Sequence, residues 1–187
     1  MRRPALLLGC GLLAACAAPA LTLYTLGTPP VVSGAVPLGR TPVVISLTRV
    51  SLQDDLDTQD IVVRDGSMLQ RSHKGRWAAR LSMGITDRLT QRLAARYPGA
   101  LVTDRPLTET PTDRILVNIG RLDVTTAGIA TLDADWLVVP RDTASPTVRN
   151  RANFSATGPV GTDQDVVTLI GMLLDKLADV IEVPGAH

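Results

Sequence analysis

With 187 residues, a formal net charge of +1 and only 3% aromatic residues, the chain is about one domain's worth and lacks the basic excess of a nucleic-acid binder. Its two cysteines, Cys10 and Cys16, both fall in an N-terminal apolar segment, which excludes a disulfide framework or a cysteine metal site in the body of the chain. Val, Leu, Ile and Ala must build the core, with Trp77, Trp136, Tyr24, Tyr97 and Phe154 as its few large pieces.

Arg2 and Arg3 precede an apolar run from Ala5 to Ala15, the length of a signal-peptide core and far short of the ~20 residues a membrane span needs. Leu13-Ala14-Ala15-Cys16 closes it and reads as a lipobox. It predicts that residues 1–15 are a lipoprotein signal peptide and that lipid is carried on Cys16. An ordinary signal peptide cut near Ala18 and an uncleaved anchor are the competing readings. Cys10 would leave too short an apolar core, with Leu8 where a small residue is favoured. Loss of Arg2 and Arg3 with the signal takes the net charge from +1 to −1. Ala17, after the cysteine, is not the Asp that in enteric bacteria holds lipoproteins at the inner membrane, so the outer membrane is the expected location.

Residues 16–42 form a lead segment. A strand candidate at Leu21 to Leu26 is followed by Pro29, Pro30, Gly34, Pro37, Gly39 and Pro42, breakers that exclude a helix and suggest a tether reaching several tens of Å when extended. From residue 43 to 187 the patterning is that of a single α+β domain. Val43 to Val50 alternates as a strand; Gln53 to Asp60 reads as an acidic loop; Asp65-Gly66 after Ile61-Val62-Val63 signals a hairpin. Trp77, Leu81, Ile85, Leu89, Leu93 and Tyr97 recur every four residues and predict a helix from Arg76 to Tyr97, ended by Pro98-Gly99. Arg76, Arg80, Arg88, Arg92 and Arg96 run beside that stripe, as a docking face for acidic protein or phospholipid headgroups or as a solvated flank whose stems cover the core edge.

After a short strand at Leu101 to Thr103, three strands are expected as an antiparallel meander with one wet face. The alternating phase flips at Gly120, which predicts a bulge. Ile129 to Val139 and Thr147 to Thr157 complete the set, in a register placing Asp135 opposite Arg151 as a cross-strand ion pair. Thr162-Asp163-Gln164-Asp165 resembles a capping box at the start of a closing helix, Asp163 to Glu182. The fold expected is an antiparallel or mixed sheet with two amphipathic helices on one face.

Catalytic chemistry finds little footing. The histidines are His73, read as part of a polar turn, and His187, with no Gly-x-Ser-x-Gly elbow to place a nucleophile. Asp54, Asp55, Asp57 and Asp60 lack calcium-loop spacing, and Asp133 and Asp135 lie on a wet strand face where nothing would raise a pKa. No catalytic residue, cofactor-binding residue or metal ligand is assigned.

Several pieces in order resemble one family: Tyr24-Thr25-Leu26 after the lipobox, Leu52 ending a strand, Leu56-Asp57, Ile61-Val62 with Arg64, Arg76-Trp77-Ala78 with Leu81, Leu132-x-Ala134-x-Trp136, and the closing helix. Together they are similar to the ABC-type transport auxiliary lipoproteins, the paraquat-inducible protein C type. The chain departs from that pattern at Gln53, Asp55, Thr58 and Gln59, where Pro, Tyr, Arg and Pro are expected. The resemblance implies a non-enzymatic periplasmic lipoprotein without a cofactor, held by lipid in the outer membrane. It would serve a mammalian-cell-entry (MCE) domain protein, permease and ATPase that move phospholipids or other hydrophobic molecules between membranes, and would assemble as a homo-oligomer. An assembly lipoprotein for an outer-membrane β-barrel and a stand-alone lipid-binding lipoprotein are the alternatives. Leu56, Asp57, Arg64, Arg76 and Trp77 stand out as partner-contact or family-motif residues, with Trp77 assigned to the core rather than to a contact by its place on the apolar stripe, and Asp57 with Arg64 equally able to form a structural ion pair.

Overall fold

The computed structural model describes residues 20–27 and 43–186; the signal sequence, Cys16, the Pro/Gly-rich stretch 28–42 and His187 lie outside the described residues. In chain order the elements are β1 (Thr22–Tyr24), β2 (Val44–Leu47), β3 (Ser51–Leu52), β4 (Asp60–Asp65), β5 (Met68–Trp77), α1 (Leu81–Arg96), β6 (Leu101–Thr103), β7 (Asp113–Val124), β8 (Ile129–Pro140), β9 (Val148–Thr157) and α2 (Asp163–Val180). The fold is α+β, a single domain.

The strands divide between two sheets. The larger runs β6-β2-β7-β8-β9, with β3 also on β7; the smaller runs β1-β5-β4. Strands β7, β8 and β9 form the expected antiparallel meander, and the register shifts between Ile119 and Arg121, so Gly120 is the bulge. The phase flip follows from that extra residue: Ile115, Val117 and Ile119 face the core before it, Leu122 and Val124 after it. Strand β2, by contrast, pairs in parallel with both β6 and β7, which makes the sheet mixed.

Both helices lie on the same face of the large sheet. Leu81, Ile85, Leu89 and Leu93 of α1 and Leu173, Leu174 and Leu177 of α2 are buried against Leu132, Trp136 and Val138. The spacing of four is what lines up one face of a helix, and each fully buried aliphatic side chain contributes about 1.5–3 kcal/mol. Helix α2 opens on the expected capping box, Thr162 with Asp165.

Several expectations change. Helix α1 begins at Leu81, not at Arg76, because Arg76 and Trp77 continue β5 and pair with Leu23 and Tyr24. Trp77 shares the four-residue spacing by coincidence of position; it is buried from a strand. His73 sits exposed within β5, at the register shift between Arg71 and Arg76, where the Ser72 hydroxyl accepts the Lys74 and Gly75 amides in a turn-like bulge. Asp135 does stand opposite Arg151, but its carboxylate accepts the Asn118 amide at 3.0 Å. Asn118 lies directly across on β7, and Arg151 stays exposed, so the ion pair does not form. The lead segment is not one long tether either. With β1 docked on β5, five residues separate Cys16 from the first paired residue, Thr22.

The arginine stripe resolves into an inter-helix ladder. Arg88 grips Asp175 with two parallel bonds, Nε to Oδ1 and Nη2 to Oδ2, each 2.9 Å. Arg92 reaches Asp175 and Asp179, and Arg96 donates to the Ala178 and Ile181 carbonyls at the end of α2. Arg80 and Arg76 turn instead to Asp57 and Asp60.

Candidate functional site

Helix α1 starts without a cap of its own. Arg80 occupies the N-cap position, makes no side-chain capping bond, and no acidic residue lies in the first turn. The first amides of a helix have no partner inside it, so the partner has to come from elsewhere. It comes from the loop before β4. The Asp57 carboxylate accepts the Ser82 N–H at 2.9 Å, and the Thr58 carbonyl accepts the Leu81 N–H at 3.1 Å. Arg80 donates to the Asp57 carbonyl at 3.1 Å and reaches its carboxylate at 3.4 Å.

Burial alone would push the Asp57 pKa up, but the Ser82 amide together with the Arg80 guanidinium more than reverses this and holds it below the usual carboxylate value. The positive end of the α1 dipole favours the same charge state. Beside it, Leu56 turns into the core and fixes the loop, so that Gln53, Asp54 and Asp55 are displayed at the surface.

Arg76 stands behind this loop. Its Nε meets Asp60 at 3.1 Å, Arg71 meets the other carboxylate oxygen at 3.0 Å, and Arg76 Nη1 donates to the Ser72 carbonyl at 2.8 Å. Trp77 is buried below, its N–H bonded to the Gln59 carbonyl at 2.8 Å. Leu56, Asp57, Arg76 and Trp77 are thus gathered around the entry to α1. Arg64 is not with them. It pairs through Nε with Asp123 of β7 at 2.8 Å, so the Asp57–Arg64 ion pair of the sequence reading does not exist.

Between β1 and the first turns of α1 opens a cleft of about 320 Å³, walled by Tyr24, Leu26, Trp77, Leu81, Gly84 and Gln91. Asp87 stands at its rim, its pKa raised by burial and by the neighbouring Asp104 carboxylate, against the pull of Arg105. Sequence reasoning missed this cleft, since it forms only where β1, ending at Tyr24, lies beside α1, which begins 57 residues later at Leu81. It placed Arg88 on the arginine stripe but missed its partners, the Leu26 carbonyl and Asp175. The recurrence of Asp175, Asp179 and Glu182 at three- and four-residue spacing was the available signal.

The site offers a fixed acidic loop, a capped helix and an apolar cleft, an arrangement suited to holding a partner or an apolar group. Among the described residues no cluster of three or more His, Cys, Asp or Glu is placed to hold a metal ion, and no helix is long and apolar enough to cross a membrane.

Comparison with known proteins agrees with the pattern of motifs. One crystal structure, of an uncharacterized protein, matches with a TM-score of 0.68 at 15% identity, covering 86% of this chain and 95% of that one. Protein XCC0632 from Xanthomonas campestris matches with a TM-score of 0.59 at 14% identity, covering 84% and 90%. At such identities these neighbours speak for the fold. No curated protein matches the sequence. The family model described as "ABC-type transport auxiliary lipoprotein component" matches residues 24–182, and the chain belongs to that family.

Proposed function

We propose that this protein is a non-enzymatic, lipid-anchored subunit of an MCE-type ABC transport system. On this reading lipid on Cys16 holds it at the periplasmic face of the outer membrane, and the domain docks the MCE assembly there while phospholipids or other hydrophobic molecules pass between membranes. The observation that carries the reading is the family match from Tyr24 to Glu182, which begins eight residues after the lipobox cysteine. The partner-facing surface is the loop displayed at the entry to α1. Leu56 and Trp77 shape it from inside, Asp57 and Arg76 hold it, and Gln53, Asp54 and Asp55 meet the partner. Arg64 acts from the far end of β4, where it ties the small sheet to β7. Assembly as a homo-oligomer would repeat this loop around a ring.

The test is co-purification from membranes of the native host. An MCE-domain protein should come down with the wild type and be lost with an Asp54→Lys/Asp55→Lys variant that still folds. Failure to recover any MCE protein with the wild type refutes the docking role. Metabolic labelling with palmitate tests the anchor, since label surviving Cys16→Ala would place the lipid elsewhere. The cleft beside β1 favours a second reading, a lipoprotein that itself binds an acyl chain. A fluorescent fatty acid displaced by Leu81→Trp would support it.

A further inference from the structure

The small sheet is uneven. Strand β1 pairs only with Gly75, Arg76 and Trp77 of β5, whereas β5 and β4 continue together to Met68 and Asp65. Beyond Gly75 only β4 and β5 continue; they are tied to the body by the Arg64–Thr125 bridge, the Arg64–Asp123 pair and the Ser72–Asp163 bond, so that the turn beyond Arg64 and Leu69 is the part that projects. That turn is tight, with Gly66 at φ +58°. The two residues after the turn are apolar and exposed: Met68 at 61% and Leu69 at 38%. An apolar pair held at the tip of a hairpin calls for an occupant.

The direction of β1 supplies one. Strands β1 and β5 are parallel, with Thr22 beside Gly75. Going back along β5 from Gly75, the ladder to β4 shifts register between Arg76 opposite Asp60 and Arg71 opposite Val62, so Leu69, opposite Arg64, lies four β4 residues from Asp60, about 13 Å at strand rise. Going back six residues from Thr22 reaches Cys16, and six residues span at most about 20 Å. The hairpin tip thus projects on the N-terminal side of β1 to a depth that lies within the reach of an anchor at Cys16. Arg71 and Lys74, both exposed on the same strand, are placed to meet phosphate groups on the way in. The β7–β8 turn closes this end of the molecule, its Thr126 N–H bonded to the Arg64 carbonyl at 2.9 Å, and it carries exposed Ile129.

We infer that the tip of the β4–β5 hairpin, Met68 and Leu69, enters the interfacial layer of the bilayer that holds the Cys16 lipid, giving the domain a second membrane contact and one orientation. The inference rests on lipidation at Cys16, which the experiment reads separately. The mature lipoprotein carrying Met68→Cys, Leu69→Cys or, at the opposite end of β8, Arg141→Cys is labelled with an environment-sensitive fluorophore. It is then reconstituted in vesicles of phosphatidylethanolamine and phosphatidylglycerol, with and without brominated acyl chains. Labels at 68 and 69 should shift to the blue and be quenched by bromine, while the label at 141 does neither. Tip labels that report water like the one at 141 overturn the inference. So do tip labels that shift without quenching, since the tip then packs on another copy of the chain. The mass of the N-terminal peptide gives the separate reading: an unmodified Cys16 removes the anchor and the inference with it, whereas lipid on Cys16 with a wet tip removes the inference alone.

Discussion

The cap on α1 is a single carboxylate supplied from 25 residues earlier in the chain, and removing it has a calculable cost. Asp57→Ala leaves the Ser82 amide without its acceptor, which for an N-cap costs about 0.5–2 kcal/mol. It also withdraws a negative charge from the helix N-terminus, worth about 0.3–1 kcal/mol at a partly exposed site. The Arg80 contact adds little, because that side chain is largely exposed and such pairs contribute about 0–1 kcal/mol. A total near 2 kcal/mol corresponds to a fall in melting temperature of about 4–8 °C for a domain of this size. Asp57→Asn keeps an acceptor and should lose only the charge part, about 0.5 kcal/mol. The sign with pH follows from the depressed pKa: the stabilisation is complete above the ordinary value of 3.8 and fades as pH falls through the lower, folded-state value. Urea unfolding followed by the fluorescence of Trp77 and Trp136, both buried, measures it at pH 7 and in the acid range. If Asp57→Ala unfolds at the same urea concentration as the wild type, the loop does not cap the helix in solution.

Three further outcomes are expected. Arg88→Ala breaks the two-pronged bond to Asp175 and should cost about 1–3 kcal/mol, with Arg88→Lys recovering less than half because an ammonium cannot reproduce the fork; urea midpoints of the three proteins decide it. Gly75→Ala would drive a methyl into the Asp163 carboxylate and within 3.0 Å of the Tyr24 ring, disturbing the 2.9 Å Ser72–Asp163 bond and costing about 1–3 kcal/mol, seen as a lower melting temperature; an unchanged value would mean that β1 and α2 give way freely there. Asp113 is buried, and burial raises its pKa. Its ionised form therefore weakens the fold at neutral pH, and this penalty is relieved as pH falls through the raised value. Asp113→Asn should melt above the wild type at pH 7, with the gain vanishing in acid.

What could be read from the sequence was whatever depends on local period. The four-residue recurrence of Leu81, Ile85, Leu89 and Leu93, the phase flip at Gly120 and the Thr162–Asp165 box each carry their signal within a few residues, and each is found as expected. The start of α1 could not be read that way. Trp77 lies four residues before Leu81 and continues the helical period, yet β1 and Gln59 hold its backbone in the ladder. The true start is marked by Asp57, whose distance in sequence hides it from any search for a cap beside the helix. The same holds for the arginines. Their spacing was plain, but whether they face solvent or a second helix depends on where α2 lies. The motif residues Leu56, Asp57, Arg76 and Trp77 were found as separate pieces, and only tertiary pairing shows that they surround one helix end.

The short strand β1 also governs load. Any pull on an anchor at Cys16 enters the domain through Thr22 to Tyr24, the Ala78–Tyr24 backbone bond at 2.8 Å and the buried Leu26. While these hold, the body stays within the span of six residues. If they yield, the chain from Thr22 to Pro42, 21 residues long, would set the distance to β2, a contour of up to about 70 Å. With lipid on Cys16 as proposed, these three paired residues would act as a clutch between a short leash and a long one, and the force at which they slip would set how far from the membrane the rest of the domain can be drawn.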